Sequence, residues 1–114
     1  MKHPGAIHNL ADVETPSLVF FADRIRANTE KALIIAGSPG RLWPHIKTHK
    51  TLELIKDLIQ RGITRFKCAT IAEAELLAMA GAKYVLVAYP LVGPNVERFG
   101  VLTSTYRETR FCSL

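Results

Sequence analysis

The stretch Arg41-Leu-Trp-Pro-His-Ile-Lys-Thr-His-Lys-Thr51 sets a lysine between two histidines at alternate positions, directly after a Pro/Gly turn. On an extended backbone His45, Lys47 and His49 project to one side, successive side chains about 6.5 Å apart, while Ile46 and Thr48 project to the other. An amine held among imidazoles and half buried has its charged form disfavoured by desolvation and by neighbouring positive charge. That makes it a nucleophile able to capture a carbonyl compound. The competing reading is a solvated basic patch, since Lys50 and Lys56 follow closely. Spacing alone leaves both open.

Such side chains need a scaffold, and the flanking sequence supplies one of regular type. Ser17–Ala22 is a short apolar, β-prone run after Thr15-Pro16, and Asp23 is the expected cap of a helix reaching about Ala36, with Ile25, Ala32 and Leu33 near one face. Arg41–Lys47 reads as a strand and Thr51 as the cap of a helix over Leu52–Gln60 that Gly62 ends. Phe66–Thr70 is the next strand. The helix Ile71–Ala80 follows, with Ala72, Leu76, Met79 and Ala80 as its expected apolar stripe and Gly81 as its end. Tyr84–Tyr89 reads as a parallel strand covered on both faces, Asn95–Tyr106 as a helix, and Arg110–Leu114 as the start of a fourth strand inside which the sequence stops. Strand and helix alternating at roughly 20-residue spacing predict an α/β protein with a parallel sheet and right-handed crossovers. Chemistry in such proteins sits at the C-terminal strand ends, where Lys47, Thr70 and Tyr89-Pro90 all fall.

Thr70 also reads as a helix cap, with Glu73 three residues on completing a capping box. His45 is equally a core histidine beside Trp43, and Tyr89 equally a core aromatic. A chain of 114 residues is one domain at most and well short of a closed β/α barrel of about 250. The expected organisation is an N-terminal arm over 1–14 and a partial barrel over 15–114, truncated in its fourth strand. Hydrophobic content of 48% with 22% charged residues is globular composition and argues against disorder. The charge of +5 comes from basic residues scattered singly, without an aromatic platform, so no nucleic-acid partner is expected. With no long apolar run and no signal-like N-terminus, a cytoplasmic protein without a membrane partner is expected. Cys68 and Cys112, far apart and without C-x-x-C spacing, are expected to be reduced and buried.

Thr15-Pro-Ser-Leu, Trp43-Pro-His-Ile-Lys-Thr-His-Lys-Thr, Cys68-Ala-Thr-Ile-Ala-Glu-Ala-Glu and Ala88-Tyr-Pro-Leu-Val-Gly-Pro94 together resemble the D-threonine aldolase and D-serine dehydratase family. These are pyridoxal-phosphate enzymes of the alanine-racemase-like barrel class, and the resemblance runs from Thr15 onward. It implies the N-terminal part of a (β/α)8 barrel, about four parallel strands, acting as a lyase on D-β-hydroxy amino acids and forming a homodimer. By the same resemblance Lys47 forms the internal aldimine with pyridoxal 5'-phosphate, ahead of Lys50, whose side chain should point off the His45/Lys47/His49 face. His45, Thr70 and Tyr89, with Cys68, lie beside the cofactor. The resemblance places the phosphate grip and a divalent-metal site in later parts of such enzymes, and no metal ligand is assigned within these residues. The alternatives are an amino-acid racemase, a non-catalytic pyridoxal-phosphate-binding protein, or an inert half barrel that associates with itself.

Overall fold

The computed structural model describes residues 7–114, so part of the expected arm over 1–14 lies outside the described residues. Three parallel strands, β1 (Arg65–Cys68), β2 (Tyr84–Val87) and β3 (Arg110–Ser113), lie in the order of the sequence. Their register places Phe66 beside Val85 and Val85 beside Phe111. Four α-helices accompany them: α1 (Ala22–Ala36), α2 (Leu52–Gln60), α3 (Ile71–Ala80) and α4 (Pro94–Thr105). The α/β class is as the sequence predicts, and so is the alternation of strand and helix from α2 onward.

The helices stop where the backbone chemistry says they should. Gly37 and Gly81 adopt φ of 75° and 94°, a left-handed conformation open to a residue without Cβ. The Gly37 N–H then reaches back to the carbonyls of Leu33 and Ile34 at 3.0 and 3.2 Å. Asp23 is not the cap of α1; Phe21 holds that position, and Asp23 sits in the first turn, where its carboxylate complements the helix dipole.

One face of the sheet packs on helices and the other does not. Phe66, Cys68, Val85 and Val87 are buried with Ile46, Ile55, Ala74, Leu77 and Leu102, and α3 lies against both β1 and β2. Alternate residues Arg65, Lys67, Tyr84 and Leu86 are only half buried, so β2 is not covered on both faces as expected. Cys112, on that second face of β3, is exposed, which corrects the expectation of two buried thiols; both cysteines are free.

Three further expectations are corrected. Ser17–Phe21 is not a strand: Leu18, Val19, Phe20 and Phe21 are exposed, the run pairs with no strand, and Ala22 already starts α1. Arg41–Lys47 is not a strand either, which leaves three strands among the described residues in place of four. Pro44 has no N–H to give a ladder, and pairing there shrinks to one parallel bridge between His45 and Lys67, with the Lys67 N–H on the Pro44 carbonyl at 2.9 Å. Short 3₁₀ turns occupy Pro39–Arg41 and Ile46–Thr48 on either side. The apolar stripe of α3 is misplaced by the sequence reading: Ala72 and Met79 are exposed, and Glu73, Ala74 and Leu77 are buried. No helix among the described residues is long and apolar enough to cross a membrane.

Candidate active site

The single His45–Lys67 bridge puts the lysine turn beside β1 and parallel to it, so the turn emerges at the C-terminal end of the sheet. Ile46, wholly buried, anchors the turn from below. His45 closes it from above: its Nδ1 accepts the Lys47 N–H at 3.3 Å, and the carbonyl of Ile46 receives the N–H groups of His49 (3.1 Å) and Lys50 (2.9 Å).

In a 3₁₀ turn successive side chains rotate by about 120°, so residues two apart do not coincide as they do on a strand. The expected common face of His45, Lys47 and His49 is therefore absent. Lys47 is exposed, and among the described residues its amine makes no ion pair. His45 stays with it, half buried. His49 turns instead toward an apolar cavity of about 760 Å³ between α1 and α2, lined by Ile25, Ala32, Trp43, Leu54 and Leu58. There its Nδ1 accepts the Thr51 N–H at 3.1 Å, and its carbonyl accepts the Thr51 hydroxyl at 2.7 Å.

Burial lowers the proton affinity of both imidazoles. At His45 the Lys47 charge adds to the effect, Glu73 opposes it and Lys67 reinforces it. The result is a neutral imidazole whose Nδ1 is free to accept.

Glu73 is the site residue that the sequence reading saw only as a cap. It is buried at 4% exposure, and half of the expected capping box is present: the Thr70 hydroxyl accepts the Glu73 N–H at 3.1 Å, while Glu73 Oε2 accepts the N–H of Ala69 at 2.7 Å in place of that of Thr70. Its other oxygen, Oε1, lies 3.4 Å from the Nζ of Lys50. Lys50 has φ of 49°, a left-handed conformation that costs a residue with a Cβ of order 1–3 kcal/mol. The Ile46 carbonyl and the Glu73 carboxylate hold it there. The Thr-x-x-Glu signature marked this carboxylate, but nothing in it foretold Lys50 as the partner.

Thr70 and Tyr89 meet across a cavity of about 550 Å³ at the same end of the sheet, with Val87, Asn95 and Arg98. Tyr89 is 63% exposed, which excludes the core reading of that residue. Neither Lys47 nor His45 lines this cavity. Cys68 is buried, burial pushing its thiol up to about 12, and so it is inert as a nucleophile. The structure thus brings together Lys47 with His45, and Thr70 with Tyr89, as neighbouring pairs at one edge. Among the described residues no group of three His, Cys, Asp or Glu side chains is arranged to hold a metal.

Parallel strands backed by helices, with an amine, a capped helix start and a tyrosine at their C-terminal ends, define an α/β protein that presents these groups at one sheet edge. No protein-family model matches the chain, and no curated protein matches it. Among solved structures it is similar to a D-threonine aldolase from Filomicrobium marinum, with 30% identity over 91% of this chain and a TM-score of 0.76. The chain spans 28% of the length of that enzyme. The D-threonine aldolase resemblance read from the residues, and with it the partial α/β barrel, are borne out by this likeness.

Proposed function

We propose that this chain is the lysine-bearing part of a pyridoxal-phosphate-dependent lyase for D-β-hydroxy amino acids, of D-threonine aldolase or D-serine dehydratase type. The observation that carries the reading is Lys47: an exposed amine without a counter-ion among the described residues, on a turn fixed at the C-terminal sheet edge, in a chain similar to a D-threonine aldolase. The donor set suits the aldehyde end of the cofactor, since a primary amine stands beside a neutral imidazole. When bound, pyridoxal phosphate supplies an electron sink for the bond broken at the substrate Cα.

The chain's own residues would divide the remaining work. Lys47 would hold the aldehyde end of the cofactor through Nζ and, when free, would take or return a proton at that nitrogen. His45 keeps the Lys47 backbone in place through Nδ1, which leaves Nε2 as its second ring nitrogen for other work. The Thr70 hydroxyl is committed to the start of α3, so its contribution is to shape the cavity wall, opposite the exposed phenol of Tyr89.

Addition of pyridoxal 5'-phosphate should give a visible band near about 420 nm that is lost in Lys47→Ala and kept in Lys50→Ala. A band indifferent to Lys47→Ala would overturn the reading. Self-association is a second reading, favoured by the open sheet face and by Ile34 and Ile35 at 78% and 83% exposure.

A further inference from the structure

The turn carries two primary amines three residues apart, Lys47 and Lys50, and both are exposed to solvent. Chemistry alone gives an aldehyde little ground to choose between them. Their surroundings differ in the charge that faces each amine. Lys50 Nζ lies 3.4 Å from Oε1 of Glu73, whereas among the described residues Lys47 makes no ion pair. Glu73 is itself fixed, since its Oε2 accepts the Ala69 N–H at 2.7 Å and its own N–H is held by Thr70. The carboxylate therefore cannot swing away without undoing the start of α3.

Resting on the reading of Lys47 above, we infer that Glu73 selects which amine of the turn bonds to the aldehyde, by tethering Lys50 as an ion-paired ammonium. Bond formation requires an unprotonated nitrogen: its lone pair adds to the aldehyde carbon, the carbonyl oxygen leaves as water with two hydrogens from the amine, and a C=N bond remains. An ammonium engaged with a carboxylate has no lone pair to offer and cannot leave its partner without cost. Glu73 touches neither the aldehyde nor the reacting nitrogen of Lys47. It is a positioning residue that acts through Lys50 and through the turn that Lys50 closes.

The test reads where the aldehyde goes. The chain is mixed with equimolar pyridoxal 5'-phosphate and reduced with borohydride, which turns the C=N bond into a stable secondary amine, and the modified lysine is located by mass spectrometry. In the unaltered chain the label should sit on Lys47 well above Lys50. Glu73→Gln keeps an oxygen for the Ala69 N–H and removes the charge; it should raise the Lys50:Lys47 label ratio by roughly two- to fivefold, the size expected of an ion pair with one partner exposed. Should that variant fold poorly, Glu73→Asp, which draws the carboxylate back by one methylene, should move the ratio the same way. Lys50→Arg keeps a cation for Glu73 and removes the rival amine, and it should label at Lys47.

A purely structural role for Glu73 would lower labelling at both lysines together and leave the ratio fixed. An unmoved ratio in either folded Glu73 variant, with Lys47 labelled, overturns the selection alone. Absence of label at Lys47 in the unaltered chain overturns both the selection and the reading on which it rests.

Discussion

The imidazoles of His45 and His49 each accept a backbone N–H through Nδ1, a bond that only the unprotonated nitrogen can make. Burial lowers the proton affinity of both, with Lys47 contributing at His45. The unfolded chain, with ordinary histidines near about 6.5, therefore takes up protons in a window where the folded chain does not. Stability present above that value is lost as the pH falls through the lower folded values. Thermal unfolding followed from about pH 7.5 down to about 5 should show a falling midpoint, and replacing both histidines by Asn, whose side-chain oxygen still accepts, should flatten the fall. Thr70→Ala should cost about 0.5–2 kcal/mol in urea unfolding through the lost cap. At this scale residue type and spacing picked out Lys47, His45 and the Thr70–Glu73 box. They misjudged which side chains share a face, because a period of two holds only on an extended chain and His45 draws the backbone into a 3₁₀ turn.

Helix α3 shows what an element reveals and what it hides. Its ends were legible from Thr70 and Gly81, which act locally, but its apolar stripe was not. In Ile-Ala-Glu-Ala-Glu-Leu-Leu-Ala-Met-Ala the small and apolar residues run nearly all round, so periodicity carries no phase and the packing partner decides which side is buried. The expected first strand fails for the opposite reason: its apolar content was real, but Pro44 removes the donor that a ladder needs. Ile46 does the anchoring that a strand would have shared among several residues. Truncating it as Ile46→Ala should cost about 2–5 kcal/mol, and urea unfolding should show it. A loss below about 1 kcal/mol would mean that the turn is held by hydrogen bonds alone.

Across the whole molecule the helices cover one sheet face, and the accessible surface of 8214 Å² exceeds the roughly 6,200 Å² usual for this mass. The radius of gyration, 16.4 Å, is likewise above the roughly 13 Å of a rounded domain of this length. Composition and alternation made the class legible, but not this openness, since which sheet face stays uncovered is set by contacts distant in sequence. Apolar surface left in water drives association. Sedimentation at rising concentration should reveal species heavier than the 12.7 kDa chain, and Ile34→Lys with Ile35→Lys should shift them toward the monomer. An unchanged distribution would place the contact on the open sheet face instead. That face also carries the one reachable thiol, Cys112, on β3, while the lone indole, Trp43, stacks on Arg65 at the opposite margin of the sheet. A dye attached through maleimide chemistry would thus sit on the order of 15 Å from its natural donor, three strand spacings away. The molecule comes with an optical ruler already installed, and its reading would lengthen as the sheet frays.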